Sequence, residues 1–462
     1  MREDETMEDS TSNALSSDVL LTDLYELTML QAWFDSGMND MATFEFFVRE
    51  FPVQRNFLLA AGLEQVLDHL EHLRFGSEDI RQLEQTGRFR SAFLASLENL
   101  RFTGSVHAMP EGTVFFPDEP ILRITAPIRE AQLAESRVMN LLHYQTVVAS
   151  KAVRSVLGAP GRLLVDFGLR RAHGAEAGLL SARASWLAGF SGTATVRAGI
   201  AYGIPMYGTM AHSYVQAHGG EAQAFEHFAR SQPDNAVLLI DTYDTEKAAH
   251  TVVEVARRLA RDGVTIKGVR IDSGDLGAHA RRVRAILDQG GLKQVTIFAS
   301  GNLDEFRLRD LVRGHAPIDG FGIGTRMNTS ADAPYLDCAY KLVEYAGTPR
   351  RKRSERKATW PGRKQVYRRY GADGRIEGDC LALEGEPQSG TPLLQPVMID
   401  GVRTASPSQA ASRAHAAQQL GTLPPELLAL EPAGPFPVDI SAPLAALVCH
   451  VDAKTCCTGK PW

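Results

Sequence analysis

From Leu21 to Phe34 the chain runs LTDLYELTMLQAWF, with apolar side chains at helical spacing behind Thr22 and Asp23, two residues suited to an N-cap. The spacing predicts an opening helix. Residues 42–52, ATFEFFVREFP, alternate as a strand does, and residues 58–73, LLAAGLEQVLDHLEHL, return to strong helical periodicity. Between Gly104 and Ile128 short β-like runs are broken by Pro110, Pro117, Pro120 and Pro127, the texture of a small, mostly antiparallel sheet. Residues 18–150 are therefore expected to form a mixed α+β domain.

After a long helical run at residues 130–157 the texture changes. Six short β-like runs recur between helical stretches or loops: RLLVDFG, IPMYGTMAH, AVLLIDTYD, IKGVRIDSGD, VTIFASGN and IDGFGIGTRM. Such alternation predicts parallel βα units over residues 151–338, an α/β barrel or a doubly wound sheet, with ligands gathered at the carboxyl ends of the strands. Beyond Tyr340 the chain returns to strand-like pieces, YKLVEYAG and KQVYRRYG, which are expected to complete the first domain within 340–400. Residues 401–462 read as a Pro- and Ala-rich C-terminal extension with one helical run near SPSQAASRAHAAQQL.

The length of 462 residues suggests two domains, or three if small. With 44% apolar and 23% charged residues the composition is that of a soluble globular protein, which excludes a disordered or membrane-embedded chain. A net charge of −6 gives no global attraction for nucleic acid or anionic lipid, so any anionic ligand must be captured locally. Residues 1–17, MREDETMEDSTSNALSS, lack the basic and apolar regions of a secretory signal and read as a disordered acidic tail. A cytoplasmic location is expected, and the five cysteines, Cys338, Cys380, Cys449, Cys456 and Cys457, are expected to be reduced thiols.

All six β-like runs end in polar or small residues, with arginines and a histidine among them. Turn chemistry alone accounts for any one of these ends; six together point to one shared site. GFGIGT and the SGN of residues 300–302 offer backbone N–H groups with little steric hindrance, a way to hold phosphate, although neither has dinucleotide or Walker A spacing. RIDSGD sets Arg270, Asp272 and Asp275 at another strand end, where they suit either a phosphate, ribose hydroxyls and Mg²⁺, or an internal salt bridge. PRRKRSERK, residues 349–357, carries six Lys or Arg without interleaved aromatics, so a solvated loop or a polyphosphate contact fits it better than nucleic acid. The three cysteines and one histidine of CHVDAKTCCTGKPW match no usual zinc spacing, and His69 and His72 read as surface residues. His212, in GTMAHS, is either held in a polar network or acts as a base or a nucleophile toward phosphorus.

Taken together, LLTDLYELTM, FEFFVRE, DFGLRRAHG, GFSGTATVRAGIAYGIPMYGTMAHS, RIDSGD, FASGNLDE, GIGT, YKLVEY and KATWPGRK, in that order over about residues 18–365, resemble the nicotinate phosphoribosyltransferase family. The resemblance implies a type II phosphoribosyltransferase fold: an incomplete α/β barrel beside a smaller α+β domain built from both chain ends. It also implies a head-to-tail homodimer with shared active sites. The implied activity joins nicotinate to 5-phosphoribosyl 1-pyrophosphate, giving nicotinate mononucleotide and pyrophosphate. This is an ATP-dependent ligase reaction, with Mg²⁺ on the pyrophosphate and ATP hydrolysis passing through a phosphorylated His212.

By the same resemblance Arg270 and Asp272 join His212 in catalysis, and Phe167, Arg170, Thr209 and the partner's Tyr25 hold nicotinate. Arg49, Arg270, Ser300, Gly301, Gly322, Gly324, Thr325, Lys352 and Lys357 hold phosphates. Ala194 departs from the small hydroxyl residue expected of the family; the related nicotinamide enzyme has an aspartate there, and the absence of a carboxylate favours the acid over the amide. A nicotinamide phosphoribosyltransferase, the quinolinate enzyme, a catalytically silent barrel and an aldolase-like barrel remain alternative readings. The acidic N-terminus and the cysteine-bearing C-terminus fall outside the resemblance.

Overall fold

A computed structural model describes residues 18–355, 357–404 and 407–457, apart from the side chains of 454–457. The expected acidic tail, and the side chains of Cys456 and Cys457, lie outside the described residues. The chain divides into two compact units, one formed by residues up to Ser150 together with those from Tyr335 onward, the other by Lys151–Pro334.

In the first unit both chain ends meet in one antiparallel sheet of seven strands. Its order is 348–349, 338–345, 41–48, 120–127, 105–108, 395–399 and 402–403. Strand Met41–Val48 is central, with Phe46 paired to Tyr340 on one side and to Leu122 on the other. Its alternation is that of a strand buried on both faces, since Thr43 and Glu45 are as enclosed as the phenylalanines between them. A buried carboxylate needs a countercharge. Lys364 supplies it to Glu45 at 2.7 Å, while Thr43 and Thr125 share a hydrogen bond of 3.0 Å. A second sheet holds strands 391–392, 364–370, 376–383 and 438–440.

The opening helix spans Leu24–Asp35, and Asp23 at its N-cap makes no capping bond. Glu26 instead turns inward and accepts from the hydroxyl of Thr22 and from the backbone and hydroxyl of Ser136. His69 is buried rather than on the surface, because helix Leu63–Glu71 packs that face inward. The last residues are more ordered than the sequence suggested: strand Val438–Ile440 and helix Ala442–Cys457 follow the expected helix, which covers Gln409–Gly421.

The second unit is a parallel sheet in the order 192–193, 163–166, 320–323, 296–299, 268–271 and 237–239, with helices between successive strands. Its two edge strands are not hydrogen-bonded to each other, so the barrel is incomplete. The run at residues 204–212 is not a strand. Pro205 has no N–H to give to a ladder, and the segment makes one parallel bridge, Thr193 to Met206. The edge strand is Gly192–Thr193, and His212 starts a short helix, His212–Gln216.

Three strand-end carboxylates are helix caps. Asp244, Asp275 and Asp304 accept from the backbone N–H of Lys247, Ala278 and Arg307 at 3.0, 3.0 and 2.9 Å. Such a cap stabilises its helix by about 1 kcal/mol. For Asp275 the turn-chemistry reading therefore holds, and this carboxylate is occupied by its own helix. Among the described residues no helix is long and apolar enough to cross a membrane.

Candidate active site

Strand Leu163–Asp166 delivers the first candidate residues. Asp166 is fully buried, accepts from the Thr193 hydroxyl and the Gly168 N–H, each at 2.8 Å, and is pushed up to about 6 by that burial. Its two bonds fix the turn in which Phe167 lies, with the Phe167 and Phe298 rings 5.8 Å apart. A single 3₁₀ turn, Leu169–Arg171, then leaves both arginines exposed.

The glycines of neighbouring strand ends are required by close approach. A Cβ on Gly322 would lie 2.6 Å from the Phe167 ring, and one on Gly324 would lie 2.8 Å from the Phe167 carbonyl. Gly301 has φ +103° and would set a Cβ 2.0 Å from the Asp272 carbonyl, a conformation only glycine adopts readily. The glycine pattern thus packs four strand ends together in two pairs and leaves bare backbone beside them.

A polar network joins the other ends. The Ser300 hydroxyl donates to Asp272. The Asp272 N–H and the Ser273 hydroxyl donate to Asp241 Oδ2 at 2.9 and 2.6 Å. Arg270 donates to the Thr209 hydroxyl at 2.8 Å; burial pulls its pKa down, opposed by the charges of Asp272 and Asp241. His212 Nδ1 is 3.1 Å from the Thr242 hydroxyl, which leaves Nε2 free of that bond.

Phe167, Arg170, Asp272, Ser300, Gly301, Gly322, Gly324 and Thr325 line one cavity of about 560 Å³. Arg270, Thr209 and His212 do not line it: Arg270 and Thr209 bond to each other, and His212 bonds to Thr242, the neighbour of Asp241. The cavity also takes in Arg171, Ser273 and Arg307, which the sequence motifs did not single out. Arg171 was legible as the second arginine of DFGLRR; Arg307 carried no signal beyond being a basic residue on a helix.

Models of the nicotinate phosphoribosyltransferase N-terminal domain, of the family's main domain and of its C-terminal domain match residues 20–143, 163–356 and 387–448. The chain belongs to this family. A nicotinate phosphoribosyltransferase of Mycobacterium tuberculosis is 49% identical over 425 residues, 91% of each chain, and one of Bacillus subtilis is 38% identical over 79% of this chain and 76% of its own. The crystal structure of human nicotinic acid phosphoribosyltransferase superposes with a TM-score of 0.84 at 30% identity, covering 93% of this chain and 99% of the human one.

The family match extends past residue 365 to 448, so much of the C-terminus that the motifs left aside is a standard part of a nicotinate phosphoribosyltransferase. The remaining candidate residues lie in the first unit. Tyr25 is half-exposed on the opening helix, and burial together with Glu135 raises its hydroxyl pKa. Arg49 pairs with Asp337 at 3.0 Å and lies over the Phe47 ring, while its Nε is buried without a partner. The basic run divides: Arg351 pairs with Asp452 of the C-terminal helix at 3.2 Å, whereas Lys352 and Lys357 are exposed.

Proposed function

We infer that the chain works as a nicotinate phosphoribosyltransferase in NAD biosynthesis, joining nicotinate to 5-phosphoribosyl 1-pyrophosphate with release of pyrophosphate. The observation that carries this is the gathering of Phe167 and Arg170 in one cavity with Ser300, Gly301, Gly322, Gly324 and Thr325. An aromatic face with an adjacent guanidinium suits a pyridine carboxylate, and bare backbone suits phosphate.

In this reading the ring nitrogen of nicotinate attacks C1 of the ribose as the bond to pyrophosphate breaks. The ribose becomes oxocarbenium-like, so positioning and charge stabilisation dominate. Phe167, with Tyr25 of a second copy, holds the ring. Arg170 and Thr209 orient the carboxylate. Arg270 and Asp272 flank the ribose and pyrophosphate, Lys352 and Lys357 hold phosphate, and Arg49 of the second copy adds positive charge. Support for such a homodimer comes from the exposed apolar side chains of Val196, Ile200 and Met206 on the barrel unit.

The two carboxylates of Asp241 and Asp272 fit Mg²⁺, a cation that takes few protein ligands beside phosphate and water. Asp241 Oδ1 is buried and has no hydrogen-bond partner, which suits this role. When bound with pyrophosphate, Mg²⁺ neutralises charge on the leaving group.

ATP enters as co-substrate through His212, whose Nε2 attacks the γ-phosphorus while ADP leaves; water later releases the phosphoryl group. Holding Nδ1 at Thr242 selects Nε2 as the nucleophile. The test is product formation from nicotinate or nicotinamide with 5-phosphoribosyl 1-pyrophosphate and Mg²⁺, with and without ATP. Nicotinate turnover speeded by ATP supports the reading; failure of both bases to react overturns it.

A further inference from the structure

Of the guanidiniums that line the cavity, Arg170, Arg171 and Arg307 form no ion pair among the described residues. Arginines close by in the same unit are neutralised: Arg326 by Asp304 at 2.9 Å, Arg154 by Glu305 at 2.8 Å and Arg282 by Glu246 at 2.6 Å. Three unneutralised cations converging on one cavity mark it as built for an anionic ligand. Arg307 makes the point a second way. It occupies the first turn of helix Glu305–Arg313, where the helix dipole disfavours a cation.

Each of the two unassigned arginines is tethered only to a neutral acceptor in a strand-end loop. Arg171 Nη1 lies 3.2 Å from the Thr325 hydroxyl, beside Gly324. Arg307 Nη1 lies 3.5 Å from the Asn302 carbonyl, beside Gly301. We propose that Arg171 and Arg307 hold the 5′-phosphate of the phosphoribosyl group in both substrate and product, a reading that rests on the activity inferred above.

The choice among the ligand's anions follows from what surrounds each arginine. Arg170 follows Phe167 within the same turn and is the cation placed to meet a carboxylate on a stacked ring. The pyrophosphate, which travels with a divalent cation, belongs beside Asp272 and Asp241, where carboxylates are available. The loops 300–302 and 322–325 themselves contribute backbone and hydroxyl groups; the carboxylate that reaches them, Asp272, is engaged by the Ser300 hydroxyl, and a phosphomonoester dianion held by Arg171 and Arg307 finds two guanidiniums.

Binding of nicotinate mononucleotide and of nicotinate riboside, which differs by lacking the 5′-phosphate, is measured by calorimetry for the wild type, Arg171→Ala, Arg171→Lys and Arg307→Ala. Each alanine variant is expected to weaken mononucleotide binding about 10-fold or more and to change riboside binding less than about two-fold, with Arg171→Lys retaining part of the lost affinity. Equal weakening of both ligands, or mononucleotide affinity unchanged in both alanine variants, overturns the proposal. A wild type that binds neither ligand overturns the activity itself and the assignment with it.

Discussion

Arg270 donates to the hydroxyl of Thr209 across 2.8 Å, tying the end of one barrel strand to the loop that leads, three residues later, into His212. Thr242, which holds His212, adjoins Asp241, which in turn holds the backbone of Asp272. The phosphoryl-accepting group and the ribose-flanking carboxylate of the proposed mechanism are therefore joined through two neighbouring loop residues, Thr242 and Asp241.

Replacing Arg270 with alanine removes a largely buried charge from this junction. The expected result is a fall in kcat/KM of about 10- to 100-fold, the effect of losing a charged hydrogen bond. Arg270→Lys, which keeps charge but not the planar fork, should recover only part of it. Steady-state kinetics with nicotinate in excess checks both.

His212→Ala should retain slow synthesis of nicotinate mononucleotide and lose its stimulation by ATP. Incubation with γ-labelled ATP should label the wild type at His212 Nε2 and leave the variant unlabelled; label found on another residue would contradict the assignment.

Gly301→Ala is expected to impair both stability and phosphate binding. Its positive φ would strain alanine by about 1–3 kcal/mol, and the added Cβ would collide with the Asp272 carbonyl. A lowered melting temperature together with a raised KM for 5-phosphoribosyl 1-pyrophosphate is the expected pair of results.

Burial pushes Glu26 up to about 7 from an ordinary carboxylate value. Because the folded pKa is the higher one, the unfolded chain gives up this proton first, and the group costs stability progressively as pH rises from about 4.5 to 7. Glu26→Gln removes that cost, which is on the order of 3 kcal/mol at the upper end. The melting temperature of the variant relative to wild type should therefore increase between pH 5 and pH 8; a difference that stays constant would show that Glu26 does not titrate in this window.

Periodicity made much of the barrel legible, because parallel strands buried on both faces leave short apolar runs that end abruptly in polar turns. It misplaced one edge strand. IPMYGTMAH has the apolar content of a strand, but Pro205 interrupts the ladder, while Gly192 and Thr193, too short a run to register, form the pairing. Strand-end carboxylates were equally visible, yet the sequence does not distinguish Asp272, which faces the cavity, from Asp275, which caps a helix three residues on. Geometry makes that distinction. Arg307 and the inward turn of His69 were hidden for a similar reason, since each depends on which face of a helix meets the rest of the fold.

The central strand of the first unit, Met41–Val48, completes its pairing only with Cys338–Tyr345. On the ribosome this strand emerges early, and its partner arrives after the entire barrel has been translated. The intervening barrel can fold in the meantime as a unit of mostly neighbouring βα contacts, whereas the first unit must close a loop spanning most of the chain. Until it does, a phenylalanine-rich strand edge stays open to other nascent chains. Translation rate and chaperone supply should therefore govern the yield of this protein more than the stability of the finished fold.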